Sequence, residues 1–71
     1  AGGGLVRGEL DFKAFCLEAY KAHYSLSGKQ TADLFEKYGV FVYLDEFYDV
    51  LHTLGRLAII QDIDKFIAAR R

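Results

Sequence analysis

The sequence predicts an all-α fold, a compact bundle of about four short helices. Three observations support this prediction. Apolar residues recur at helical spacing along most of the 71-residue chain, and the chain contains no proline to interrupt a helix. Helix start and stop signals also separate the periodic segments. A chain of this length forms one domain at most, and its six Phe and five Tyr supply large side chains for a small core.

The N-terminal segment differs from the rest of the chain because it is rich in glycine. Three consecutive glycines follow Ala1, and glycine loses more backbone entropy on ordering than any other residue. We therefore expect residues 1–8 to form a flexible tail and residues 9–71 to form a single helical domain.

The first predicted helix runs from about Glu9 to Leu26. One apolar stripe along it is expected to face the core, and it comprises Phe12, Phe15, Cys16, Ala19, His23 and Leu26. A second row, Leu10, Leu17 and Tyr24, recurs at seven-residue intervals on nearly the opposite side. Since a small bundle covers one stripe of its first helix, we expect this second row to contact another copy of the chain in a homodimer.

The second predicted helix has clear signals at both ends. Ser27 and Gln30 match a capping box, which predicts a helix start, and the helix extends to about Tyr38, where Gly39 ends it in a left-handed conformation. Residues 40–43 are open to two interpretations, a short extended segment or a brief connector. The connector is favoured because helical spacing resumes immediately.

The last two predicted helices carry apolar faces at helical spacing. The inward arc of the third helix, which ends at Gly55, comprises Tyr43, Leu44, Phe47, Val50, Leu51 and Leu54. The core face of the fourth helix comprises Ile59, Ile60, Ile63, Phe66 and Ile67. Asp62, Asp64 and Lys65 are expected to point away from the core.

Polar residues cluster on the outer face of the third predicted helix. Asp45, Asp49 and His52 share this face, and Tyr48 lies at its edge, at i, i+4 spacing from His52. One interpretation is a small ligand-binding or acid–base site in which Asp49 orients His52. The plainer interpretation is a surface histidine near a helix C-terminus with Asp49 as its exposed partner. Catalysis would require a second catalytic element, which the sequence does not supply, so we predict no catalytic residue.

Composition restricts the possible partners. With nine basic and ten acidic residues and a net charge of −1, the chain lacks the basic excess that nucleic acid and anionic membranes attract. No apolar run reaches the length of a membrane span. The single Cys16 fits a reducing cytoplasm and is expected to be a core residue, and one Cys with two His forms no zinc motif. We therefore predict a cytoplasmic protein without metal or cofactor.

Several segments resemble a known family, and they extend over nearly the whole chain: FCLEAYKAH, LSGK, LFEKYGV, FYDVLHTLG and DIDKFI. The chain resembles the small bacterial proteins of domain-of-unknown-function family 3791. The resemblance implies a small helical protein, and it supplies no catalytic residues. Genes of this family often lie beside genes for ADP-ribosyltransferase-like proteins, so the resemblance suggests that this chain is a partner or antidote of such a protein.

Two functions are consistent with these features. The first is a non-enzymatic protein-interaction module, which binds a second copy of itself or an ADP-ribosyltransferase-like protein. It is favoured because the first helix has more apolar surface than one small core can cover. The alternative is a small ligand-binding protein or enzyme that uses Tyr48, Asp49 and His52.

Overall fold

The protein is an all-α bundle, as the sequence predicts. The computed structural model describes the backbone of residues 3–71 and the side chains of residues 11–71, and this part of the chain contains no β-strand. In chain order the helices are α1 Gly3–Tyr24, α2 Gly28–Lys37, α3 Val40–Glu46, α4 Tyr48–Leu51 and α5 Arg56–Arg70. The long helices α1 and α5 pack against each other, and α2 and α3 pack on α1.

The first helix begins earlier than predicted, at Gly3 rather than Glu9. Once a helix is nucleated, each further residue adds one hydrogen bond, so a stable helix can extend into residues of low helix propensity. Ala1 and Gly2 lie outside the described residues. The flexibility expected of residues 1–8 stays a prediction.

The end of α1 is a Schellman motif, which closes the helix at Tyr24, before the predicted end. Ser25 follows with a left-handed φ of 55°. Its amide donates to the carbonyl of Ala22 over 3.4 Å, and the amide of Leu26 donates to the carbonyl of Lys21 over 2.9 Å. This pair of bonds satisfies carbonyl groups that the helix end leaves free.

The predicted signals of the second helix are confirmed. The Gln30 amide donates to Ser27 Oγ over 3.0 Å, and the Ser27 amide donates to Gln30 Oε1 over 2.9 Å, which completes the capping box. Gly39 ends this segment with a φ of 71°. The fully buried Thr31 hydroxyl donates to the Ser27 carbonyl over 2.9 Å, so it carries no desolvation penalty.

The segment after Gly39 differs from the prediction. Residues 40–43 form the first turn of α3, so the connector interpretation is wrong, and the helix then breaks at Phe47, whose φ and ψ are −110° and 22°. The break separates α3 from α4 and changes which side chains face the core. Of the predicted inward arc, Leu44 and Leu51 are buried, whereas three members are exposed: Phe47, Val50 and Leu54.

The core cluster lies where α1, α2, α3 and α5 meet, and comprises Phe12, Cys16, Ala19, Tyr20, Phe35, Val40, Leu44, Leu51, Ile59, Ile60, Ile63 and Ile67. The stripe of α5 is as predicted, with Phe66 partly buried against the cluster. The stripe of α1 is rotated from the predicted one. Phe15 and His23 are exposed and Tyr20 is buried, because α1 packs against both α2 and α5 and their contacts set the centre of its buried face.

Candidate functional site

The polar residues predicted as a ligand site lie along α3 and α4, with Asp45 on α3, Tyr48 and Asp49 on α4, and His52 directly after α4. The Tyr48 ring is half-buried and makes an edge contact with Phe12 at 5.3 Å between centroids. The exposed His52 ring stacks on Tyr48 at 4.7 Å, and its Nδ1 lies 2.7 Å from the Tyr48 carbonyl oxygen. The histidine thus packs against its own helix and binds the carbonyl of the preceding turn.

The two aspartates of this predicted site do not join the histidine. Asp45 forms an ion pair with Lys13 of α1 at 3.0 Å. Asp49 is exposed, and within residues 11–71 its carboxylate forms no ion pair or hydrogen bond. The geometry therefore does not assemble an Asp–His pair, and ligand binding by Tyr48, Asp49 and His52 stays a prediction.

The second apolar row of α1 is only partly available to a partner. Leu17 is half-buried and packs against the core cluster. Tyr24 is exposed, but its ring packs on Tyr20 at 4.8 Å. The side chain of Leu10 lies outside the described residues. Contact of this row with a second copy stays a prediction.

A carboxylate of α5 links this helix to α1. The Tyr20 hydroxyl donates to Asp64 Oδ1 over 2.7 Å, and the Tyr24 hydroxyl donates to Asp64 Oδ2. Burial and the bond to Asp64 raise the pKa of Tyr20 above its ordinary value, and the same bond is the main cause of a raised pKa at Tyr24. Asp64 is half-buried, so the expectation that it points away from the bundle is wrong.

These residues form one wall of a cleft between α1, α2 and α5. It has a volume of about 540 Å³, and its lining comprises Tyr20, Tyr24, Leu26, Leu34, Asp64, Ile67, Ala68 and Arg71. We call it the α1–α5 cleft. Both oxygens of its carboxylate already accept hydrogen bonds from within the chain.

A second carboxylate of α5 links the helix to α3 on the other side of the bundle. The Tyr43 hydroxyl donates to Asp62, which is also half-buried rather than directed away. Burial, with a smaller contribution from Asp62, raises the pKa of Tyr43 to about 12. The Tyr43 ring stacks on Phe66 at 4.2 Å, and the Arg70 guanidinium lies 3.7 Å from the Phe66 ring centre. The side chains of Tyr43, Phe66 and Arg70 thus form one stacked layer between α3 and α5.

This layer forms the floor of an open groove of about 550 Å³, lined by Tyr38, Gly39, Val42, Tyr43, Glu46, Phe47, Phe66 and Arg70. We call it the α3–α5 groove. Val42 is 61% exposed and Phe47 is 48% exposed. The break at Phe47 contributes to this surface, because the side chain lies in the groove and not in the core. The groove thus combines a floor of stacked aromatic rings with large exposed apolar side chains.

Cys16, the single thiol of the chain, is 1% exposed, and burial raises its pKa to about 12. A thiol in this setting is a poor nucleophile. Residues 11–71 contain no group of three His, Cys, Asp or Glu side chains that could hold a metal ion. None of the helices described combines the length and hydropathy that crossing a membrane requires.

Reasoning from the sequence missed both the α3–α5 groove and the two tyrosine–aspartate links. The signal for the links is present in the sequence. Asp62 and Asp64 flank Ile63, so if Ile63 faces the core, its neighbours lie on either edge of that face, within reach of adjacent helices. No comparable signal marks the break at Phe47.

Comparison with known protein families gives a match over most of the chain. A family model described as "Protein of unknown function (DUF3791)" matches residues 11–70. Neither a curated protein nor a solved structure matches the chain. The matched range includes every side chain that lines the α3–α5 groove.

Proposed function

The chain belongs to the DUF3791 family of proteins of unknown function, and we propose that it is a non-enzymatic protein-interaction module. Its contact surface is the α3–α5 groove. The observation that carries the proposal is the exposure of Val42 and Phe47 beside a floor of stacked aromatic rings. Contact sites on small proteins are commonly marked by exposed apolar surface of this kind.

The composition of the groove suits a protein partner. Aromatic residues and arginine are enriched at protein interfaces, where they supply a large contact area. Tyr43 and Phe66 are already fixed by stacking, and Arg70 lies over Phe66. Covering a fully exposed Val or Phe contributes about 1.5–3 kcal/mol, so the partly exposed Val42 and Phe47 contribute about half of that each.

The resemblance to the family suggests the class of partner. We propose that the module binds an ADP-ribosyltransferase-like protein as its antidote, with the groove as the contact site. An antidote acts by occupying its target, so this role requires of the groove only a surface that complements that target.

Two valines of nearly equal exposure provide the test. Val42 lies in the groove at 61% exposure, and Val50 lies outside it at 63%. We expect Val42→Glu to weaken binding to an ADP-ribosyltransferase-like protein from the same genome at least tenfold, because a charge would enter the apolar contact. Isothermal titration calorimetry would measure the loss, with Val50→Glu as the matched control.

The result has two clear alternatives. Equal affinity of wild type, Val42→Glu and Val50→Glu would show that the groove is not the contact surface. Absence of binding by the wild-type chain would show that this class of partner is wrong.

A further inference from the structure

We propose that a second copy of the chain occupies the α3–α5 groove when no other partner is bound. The inference rests on the proposed function, because it uses the same contact surface and names one occupant. It predicts that the dimer and the complex with another protein exclude each other.

The charges around the groove point to a second copy. Glu46 lies on α3 and Arg70 on α5, and both line the groove, so its α3 side carries an acid and its α5 side carries a base. Neither forms an ion pair with any residue in the part of the chain whose side chains are described. The patch therefore carries both signs of charge, each available to a partner.

A symmetric dimer requires this kind of patch, since the same surface must complement itself. A two-fold axis that crosses the groove midway between Glu46 and Arg70, perpendicular to the line joining them, places each carboxylate against the other copy's guanidinium. Both pairs form at once. A patch with a single sign of charge would repel its own copy.

The apolar residues fit the same arrangement. Val42 and Phe47 lie on the groove wall that also carries Glu46, so the axis brings them toward the aromatic floor of the other copy. Arg70 is held over Phe66 at 3.7 Å. A guanidinium that is already positioned loses less freedom when it pairs than one on a free side chain. The dimer would thus have an apolar centre and a charged rim.

Charge reversal tests this dimer directly. Glu46→Arg and Arg70→Glu each replace two attractive pairs by two repulsive ones, so each variant should dissociate at least tenfold more readily than wild type. An equimolar mixture of the two variants restores both attractive pairs. We therefore expect the mixture to form a heterodimer of near wild-type stability, measured by sedimentation velocity and by native mass spectrometry of the mixed species.

Two controls separate charge from other effects. Asp49→Arg reverses an exposed acid outside the groove and should leave the dimer unchanged. Val42→Glu disrupts the apolar part of the groove without altering Arg70, so it should also dissociate the dimer. Circular dichroism of each variant confirms that the monomer remains folded.

Failure of the dimer is distinguishable from failure of the proposed function. A wild-type chain that is monomeric up to about 1 mM, where association is weaker than about −4 kcal/mol, would overturn the dimer, and so would a mixture of the two reversed variants that stays monomeric. Binding of an ADP-ribosyltransferase-like protein that Val42→Glu abolishes would still support the proposed function. If the dimer exists, that protein should split it as the complex forms.

Discussion

The two sides of α5 pack on neighbouring helices through the same contact, a tyrosine hydroxyl that donates to an aspartate. The surfaces beside these two contacts differ. On the side of α1, two tyrosine hydroxyls meet both oxygens of Asp64. On the side of α3, a single tyrosine meets Asp62, and the neighbouring rings are stacked. At the first of these contacts, the α1–α5 junction, the polar groups are satisfied within the chain. The second, the α3–α5 junction, lies beside the exposed side chains of Val42 and Phe47.

The difference follows from the helix that faces α5. A long helix such as α1 brings Tyr20 and Tyr24, one turn apart, to the same carboxylate. The short α3 brings one tyrosine and then breaks at Phe47, which leaves that ring outside the core. The comparison indicates that an interrupted helix can supply contact surface where an uninterrupted helix supplies internal bonds.

The largest expected change in stability comes from the core residue between the two aspartates. Ile63 stands between Asp62 and Asp64 and is 1% exposed, so Ile63→Ala should lower the free energy of unfolding by about 2–5 kcal/mol. Leu57→Ala, on the exposed face of the same helix, should change it by less than about 0.5 kcal/mol. Urea denaturation followed by circular dichroism measures both. Similar losses would mean that the assigned buried face of α5 is wrong.

The next effect compares the two carboxylates. An amide has one acceptor oxygen, so Asp64→Asn can accept from only one of its two tyrosines and must donate its NH2 to the hydroxyl of the other, whereas Asp62→Asn can still accept from Tyr43. We expect a loss of about 1–2 kcal/mol for Asp64→Asn and less than about 1 kcal/mol for Asp62→Asn. The same denaturation experiment applies. A larger loss of stability for Asp62→Asn than for Asp64→Asn would mean that the α3–α5 junction contributes more to stability than the α1–α5 junction.

A smaller effect concerns two left-handed residues, one beside each junction. Gly39 has a φ of 71°, and a Cβ there would meet no atom within 4 Å, so Gly39→Ala tests the backbone alone. We expect it to cost about 1 kcal/mol, and Ser25→Gly, at a φ of 55°, to stabilise by about 0.5–1 kcal/mol. Thermal melts of the two variants should therefore shift in opposite directions. Shifts of the same sign would contradict the left-handed backbone conformation of one of the two residues.

The smallest effect is a loss of stability caused by Tyr43, which is absent at neutral pH and appears only at alkaline pH. Folding raises the pKa of Tyr43 from about 10 to about 12, so above pH 10 the unfolded chain loses this proton first and stability falls as the pH approaches 12. Tyr43→Phe should make the loss between these pH values less steep. Tyr48→Phe is the control, because within residues 11–71 the Tyr48 hydroxyl donates to no carboxylate. Identical alkaline profiles for wild type and Tyr43→Phe would show that folding does not raise the pKa of Tyr43.

Signals that act within one turn of helix predicted their structures correctly. The capping box of Ser27 and Gln30 and the left-handed Gly39 depend on residues next to them in the sequence. The buried stripe of α5 was also predictable, because that helix is continuous and Ile59, Ile60, Ile63 and Ile67 recur in it at helical spacing.

Features set by other helices could not be predicted in this way. A helical wheel gives angles between side chains, but the direction of the core is set by the neighbours, which explains why Tyr20 is buried while Phe15 is exposed. The wheel also assumes an unbroken helix. The break at Phe47 invalidates it for Val50 and Leu54 and creates the groove that no local pattern marks.

The burial of Cys16 has a practical consequence for experiments on this chain. Alkylating reagents and oxidants react with the thiolate, and a thiol with a pKa of about 12 and 1% exposure offers almost none. Labelling must then wait until the core opens, so the labelling rate reports how often α1 separates from its neighbours. Because Cys16 is the single thiol in the chain, each opened molecule gains one label, and mass spectrometry of the labelled protein would count opened molecules directly.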